Sequence, residues 1–254
     1  MERKVKSIFI SDVHLGTKVS KPNYLLKFLK DFDSENIFLI GDIIDFWRLN
    51  QRPYWPQEHN TVIQKLLKKS RLGKKIIYIP GNHDEFLRQY DNLNLGGIEI
   101  KLFYEYQIKD KRFILIHGDQ FDLYVLKFKK IAKIGGIFYD LSQNFNYYLN
   151  KIRYFFGLPY WSLSGYLKRK IKNASNFIEN FESILIDFAV NKNYDGVICG
   201  HIHQGNIKVI NNVIYANCSD WCDSIGGLIE TYDGELIFIQ NEKDRWVEKI
   251  KLKI

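Results

Sequence analysis

The 254-residue sequence contains no run of eighteen apolar residues and no amino-terminal apolar stretch followed by a cleavage site, so neither a membrane span nor a signal peptide is expected. Cysteine is scarce. Cys199, Cys218 and Cys222 are odd in number and late in the chain, which points to reduced thiols in a cytoplasmic setting. Cys218 and Cys222 could serve as zinc ligands, but no second pair accompanies them. Internal repeats and low-complexity tracts are absent as well. With 46% hydrophobic and 26% charged residues the composition is that of an ordinary globular protein, and the length suits one large domain carrying an insertion.

Acid is nearly missing from one segment. Between Lys127 and Lys172 ten Lys/Arg face a single acid, Asp140, a balance of +9 in a chain whose formal net charge is +8. The remainder is therefore close to neutral, and the positive character belongs to one segment.

Short apolar runs, each stopped by polar residues, dominate what is present. Ser7–Ile10 reads as a strand running into Asp12 and His14, whose two-residue spacing puts both on one side of an extended chain. Ile37–Ile40 ends in Gly41-Asp42. Ile76–Ile79 is stopped by Pro80-Gly81 and followed at once by Asn82, His83 and Asp84. Phe113–Ile116 ends in His117-Gly118-Asp119, and Val197–Cys199 in Gly200-His201-Ile202-His203. Helices are expected over Pro22–Phe32, His59–Leu72 and Phe177–Val190, the last with Phe177, Phe181, Ile184, Leu185 and Phe188 on one face. Ile98–Tyr106, Val213–Ala216, Leu228–Thr231 and Glu235–Gln240 read as further strands, the last two joined by a turn at Asp233-Gly234.

Hard polar groups at the carboxyl ends of buried strands are where α/β proteins place ligand chemistry. If these strands share a sheet, their ends converge. Asp, Asn and His supply oxygen and nitrogen ligands suited to Mn, Fe or Zn, and two such ions about 3.5–4 Å apart activate a phosphoryl group and its nucleophile. A single His after a strand is ordinarily a satisfied polar residue. Here five of the six histidines share the pattern, and only His59, on an expected helix, reads as a surface or packing residue.

Asp12-x-His14, Gly41-Asp42, Gly81-Asn82-His83-Asp84, His117-Gly118 and Gly200-His201-x-His203 resemble, in order, the motif set of the calcineurin-like metallophosphoesterases. The resemblance implies a four-layer αββα sandwich, an α/β fold. It also implies that Asp12, His14, Asp42 and His203 hold one metal and that Asp42 bridges to a second held by Asn82, His117 and His201. His83, oriented by Asp84, would contact the phosphoryl oxygen or protonate the leaving group. The implied cofactor is a pair of divalent ions, Mn²⁺ by resemblance, with Fe and Zn compatible with the same ligands.

A closer likeness lies in Gly41–Trp47, Tyr54-Trp55-Pro56, His117–Asp122, Leu158–Ser164 and Asn217–Trp221, which resemble the UDP-2,3-diacylglucosamine diphosphatase branch. Those enzymes cleave the pyrophosphate of a UDP-linked diacyl sugar in lipid A assembly, releasing UMP and a lipid monophosphate. The pattern of that branch has Arg where this chain has His83, so the chain resembles a sister group. Asp45 and Trp47 are expected to support the Asp42 loop. Asp119 and Asp122 either orient His117 or line a phosphate pocket, and Asp220 and Trp221 match the closing motif with no role assigned.

The expected organisation is one domain over 1–254 with a helical aromatic and basic insertion at about 121–176. Twelve aromatic residues are mixed with the ten basic ones between 127 and 172, a composition suited to covering an amphiphilic ligand or touching an anionic membrane. Lys168, Lys172, Tyr160 and Trp161 are its substrate-binding candidates. The expected partner is a nucleotide-linked glycolipid, with peripheral contact at the inner face of the cytoplasmic membrane. A basic aromatic strip could also bind nucleic acid, which the near-neutral remainder disfavours. Cleavage of a cyclic nucleotide or another phosphodiester is the alternative activity. A metal-free scaffold on the same fold is disfavoured because every ligand position is filled.

Overall fold

The computed structural model describes residues 3–122, 153, 155–157 and 177–254. Two compact units are distinguished, Met1–Asp119 with Leu185–Ile254, and Gln120–Ile184. The strands below all belong to the first. Lys168, Lys172, Tyr160 and Trp161, and nearly all of the expected insertion, lie outside the described residues.

Among the described residues two sheets are formed. In chain order the strands are β1 (Arg3–Ile10), β2 (Phe32–Ile40), β3 (Lys75–Ile79), β4 (Asn94–Leu95), β5 (Ile98–Ile100), β6 (Tyr104–Ile108), β7 (Lys111–Leu115), β8 (Gly196–Cys199), β9 (Asn206–Ile210), β10 (Val213–Asn217), β11 (Gly226–Glu230), β12 (Glu235–Glu242) and β13 (Arg245–Lys253). The larger sheet has the order β13-β12-β11-β1-β2-β3-β5-β4, and the smaller β6-β7-β8-β10-β9. Within them β1, β2 and β3 run parallel, as do β7, β8 and β10. The five strands with polar ends therefore belong to two sheets, three in one and two in the other, as the αββα sandwich implied by the resemblance requires.

The strands alternate side chains between faces, and both faces of the larger sheet are buried. Phe9, Phe38, Ile40, Ile77 and Ile79 pack with Phe113, Leu115, Ile198 and Ala216 in one core between the sheets. Ile8, Ile10, Ile37, Leu39 and Ile76 point the other way, into a core shared with α1 (Pro22–Asp31) and α3 (Gln57–Arg71). Each such side chain, fully buried, contributes roughly 1.5–3 kcal/mol of transfer free energy. The outer face of the smaller sheet is buried at Ile114, Ile116, Val197 and Tyr215, and Leu185, Ile186 and Ala189 of α4 (Phe177–Asn191) are buried too. The result is an αββα sandwich. A short helix, α2 (Phe46–Gln51), follows the Asp42 loop.

The expected strand Ile98–Tyr106 is two strands in different sheets. The chain crosses over at 101–103, where Leu102 and Phe103 are exposed and the Leu102 N–H donates to Asp91 Oδ1 at 3.1 Å. Apolar residues at the crossing hide it from a reading of hydrophobicity. Strands β9 and β13 escape the same reading because they lie at sheet edges and carry polar and charged residues.

Candidate metal centre

The polar residues at the ends of β1, β2, β3, β7 and β8 meet at one end of the inter-sheet seam. Backbone bonds first fasten the loops. Asp12 N donates to Gly41 O at 3.0 Å and His14 N to Asp42 O at 2.9 Å, so the two loops continue the pairing of β1 with β2. In the smaller sheet Gly200 N donates to His117 O at 3.1 Å, which continues the pairing of β7 with β8 in the same way. His117 Nδ1 lies 2.9 Å from the Ile40 carbonyl, which can only accept, so the proton sits on Nδ1 and Nε2 is turned inward.

The carboxylates are oriented by the same device. Asp42 Oδ1 accepts the His83 N–H at 2.8 Å, which leaves Oδ2 facing His117 Nε2 at 3.4 Å, His14 Nε2 at 3.9 Å and His83 Nε2 at 4.0 Å. Asp12 Oδ2 accepts the His201 N–H at 2.9 Å, which leaves Oδ1 facing His203 Nε2 at 3.2 Å and His14 Nε2 at 4.0 Å. Asp12, His14 and His203 form one cluster of potential ligands, and Asp12, Asp42 and His117 a second. The His201 ring lies 5.2 Å from that of His117.

Four inward atoms, Asp12 Oδ1, His14 Nε2, His117 Nε2 and Asn82 Oδ1, are buried without a hydrogen-bond partner. An unpaired buried polar atom costs roughly 1–3 kcal/mol. Four together, from residue types that ligate divalent ions, fit a metal centre. Glycines keep the space open: a Cβ on Gly41 would collide with the His117 ring, and one on Gly81 with Asp42 and His117.

The ligand backbones are also unusual. Asp12, His14, Asp42, His201 and His203 all have positive φ, between 51° and 71°, a region that L residues occupy at some cost. The profile of the calcineurin-like phosphoesterases matches residues 5–205, a span containing every one of these residues. The chain belongs to that family. A curated relative, the UDP-2,3-diacylglucosamine hydrolase of Porphyromonas gingivalis, is 25% identical over 146 residues, covering 55% of this chain. The match spans about half, 53%, of the length of that relative. A solved structure of a Vps29 single mutant from Entamoeba histolytica has a TM-score of 0.50 and 10% identity over 98% of both chains, a likeness of fold.

In this calcineurin-like phosphoesterase the carboxylates and imidazoles at the centre offset one another's burial. Burial alone would pull the His117 imidazolium down, but Asp42, with Asp12 and Asp119, outweighs it and pushes the pKa up to about 10. Burial likewise opposes ionisation of Asp42, yet His117 and His14 hold it well below the usual carboxylate range. Burial would lower His83, and Asp45 and Asp42 raise it instead.

The expected partner of His83 needs correction. Asp84 is buried and accepts from the N–H groups of Gly81, Ile43 and Asp42 and from the Tyr78 hydroxyl. It braces the Asp42 and Asn82 loops against each other. Among the described residues the carboxylate beside His83 Nδ1 is that of Asp45, at 3.0 Å, and the Trp47 ring lies 4.3 Å from the imidazole. Asp45 also receives the Arg48 N–H at 2.8 Å and so caps α2. Asp119 pairs with Arg88 at 2.7 Å, and the Ile40 carbonyl, not Asp119, sets the ring of His117. His59 is a buried packing residue that accepts the Gly16 N–H at 3.1 Å.

The closing motif supports the site from behind. Asn217 Nδ2 donates to the Gly200 carbonyl at 2.7 Å, Trp221 N donates to the Asp12 carbonyl at 3.0 Å, and Asp220 Oδ1 accepts from Cys222 N at 2.8 Å. Sequence reasoning left these residues without a role. The signal available was their type, Asn and Asp in a turn-rich stretch directly after a strand.

Proposed function

We propose that this phosphoesterase hydrolyses the pyrophosphate of a nucleotide-linked glycolipid of the UDP-2,3-diacylglucosamine type, giving UMP and a lipid monophosphate. The observation that carries the reading is the set of buried, unpartnered Asp, His and Asn atoms facing one another at the seam. The likeness to the hydrolase of Porphyromonas gingivalis supports the choice of substrate. Asp12, His14, Asp42 and His203 would hold one divalent ion, and Asp42, Asn82, His117 and His201 the other, Mn²⁺ being our choice. Bound there, such ions supply Lewis acidity to a phosphoryl oxygen and lower the pKa of water.

The remaining chemistry belongs to His83. Asp45 and Asp42 raise its pKa against the opposing effect of burial, which favours the protonated ring that a donor to a leaving phosphate requires. Asp45 fixes its Nδ1 side and Trp47 covers its face, which leaves Nε2 as the atom that hands over the proton. His83 opens onto a pocket of about 350 Å³ walled by Phe46, Trp47, Asn50 and Phe86. The aromatic and basic segment, including Tyr160, Trp161, Lys168 and Lys172, would cover the acyl chains and meet an anionic membrane surface on the cytoplasmic side. Among the described residues no helix is long and apolar enough to cross a membrane.

The test is product analysis with UDP-2,3-diacylglucosamine and Mn²⁺, comparing the wild type with His117→Ala. Release of UMP and the lipid monophosphate, lost in the variant, is the expected result. His83 in place of Arg favours a second reading, hydrolysis of another phosphodiester. An untouched lipid together with His117-dependent cleavage of a chromogenic diester would select it.

A further inference from the structure

Helix α2 separates two pockets of opposite character. Phe46, Trp47 and Asn50 face the aromatic pocket that holds His83, while Arg48 and Gln51, at i and i+3, share the other face, with Arg52 directly after the helix. That second face walls an open pocket of about 540 Å³, completed by Thr17, Lys18 and Tyr54. Three cations line it. Among the described residues no carboxylate lines it, and none pairs with Lys18, Arg48 or Arg52.

The pocket is tied directly to the metal centre. Thr17 on its wall donates through Oγ1 to the His14 carbonyl at 2.8 Å. The Arg48 N–H is held by Asp45, the residue that stands beside His14 and His83. The Lys18 ammonium is placed 5.8 Å from the centre of the Tyr54 ring, which keeps one cation over the pocket wall. Unpaired guanidinium groups clustered in a concavity match the oxygens of a phosphate, and no Leu, Ile, Val, Met or Phe side chain lines the wall.

We infer that the pocket of Lys18, Arg48 and Arg52 binds the phosphate of the nucleotide half of the substrate, while the aromatic face of α2 serves the apolar half. The inference rests on the proposed substrate reading and adds to it: α2 sorts the two halves of an amphiphilic pyrophosphate, and the selectivity is for a scissile bond flanked by two anionic phosphates over the single phosphate of a diester.

The test uses the full-length, Mn²⁺-loaded protein and a Lys18→Gln/Arg48→Gln/Arg52→Gln variant. Two measurements are made: calorimetric binding of UMP with uridine as the uncharged control, and the ratio of kcat/KM on UDP-2,3-diacylglucosamine to that on bis(p-nitrophenyl) phosphate. Weakening of UMP binding at least tenfold, with a fall of at least tenfold in the ratio, is expected. Wild-type turnover of the lipid with an unchanged ratio in the variant would overturn the pocket and leave the substrate reading standing. If the wild type does not cleave the lipid, the substrate reading fails and UMP binding alone decides: retained affinity in the variant overturns the inference, and lost affinity supports it. Equal binding of uridine and UMP would overturn it, as would cation-dependent binding of phosphatidylglycerol vesicles without UMP binding. Where the triple variant does not fold, Lys18→Gln and a salt titration of the wild type decide, and UMP affinity indifferent to both would overturn it.

Discussion

The His14 and His83 rings meet edge to face, 4.7 Å apart at 88°, and both turn Nδ1 toward a single oxygen, Asp45 Oδ2, at 3.2 and 3.0 Å. One carboxylate thus orients a candidate metal ligand and the candidate proton donor together. Losing a group that orients a ligand commonly lowers metal affinity or activity 10–100-fold. Asp45→Asn is expected to lower turnover by about that factor while retaining the helix cap, since Asn caps as well as Asp. Asp45→Ala should add a stability loss of about 1 kcal/mol from the uncapped α2. Steady-state kinetics and chemical denaturation of the pair separate the two effects.

Asp84 is expected to matter for folding more than for the chemical step. Its carboxylate is buried under five donors, four of them backbone N–H groups of the ligand loops. Removing it with Asp84→Ala leaves those donors unpaired, at an expected loss of about 3 kcal/mol or more. Urea denaturation of the metal-free protein measures it, and a midpoint close to that of the wild type would contradict the bracing role.

His59 provides a pH signature away from the ligands. Burial lowers its pKa from 6.5, Glu58 opposing, and its Nδ1 can accept the Gly16 N–H hydrogen bond only when unprotonated. The folded-state pKa is the lower one, so above 6.5 neither state is charged and this stability is fully present. It declines as pH falls below about 6.5, because the unfolded chain takes up the proton first. The stability difference between the wild type and His59→Gln should shrink over that window, read from denaturation curves at stepped pH.

Metal removal is expected to abolish turnover and to lower the melting temperature, and re-addition of Mn²⁺ at about 100 times its Kd should restore roughly 2.7 kcal/mol. The second proton of His117, on Nε2, has its pKa pushed up to about 10, mainly by Asp42 against the opposing effect of burial. A ligand imidazole must shed that proton, so affinity should weaken as pH falls, by up to about tenfold per unit for each proton displaced. Calorimetry in buffers of different ionisation enthalpy counts the protons released.

Much of the site was legible because its signal is local: a β-branched or aromatic run, a glycine, then Asp, Asn or His. Asp12, His14, Asp42, His117 and His203 stand at such stops, and each has its inward atoms in the cluster described. The partner of His83 was not legible. Asp84 is its sequence neighbour and Asp45 is 38 residues away, and only the pairing of β2 with β3 brings the loop of Asp45 to it. The division of the expected strand Ile98–Tyr106 between the two sheets was hidden for a related reason. Hydrophobic alternation tells which side of a strand is buried and not which strand lies opposite, so the switch at 101–103 left no mark.

The candidate ligands come from both sheets: Asp12, His14, Asp42 and Asn82 from loops of the larger, His117, His201 and His203 from loops of the smaller. Sliding one sheet past the other by a single residue, about 3.3 Å, would carry half of the ligands out of reach of the rest. The aromatic layer of Phe9, Phe38 and Phe113 between the sheets therefore acts as a gauge block that sets the spacing of a coordination sphere it does not touch. Shear at that layer, caused by a substitution remote from any ligand, would be felt first as a change in metal selectivity.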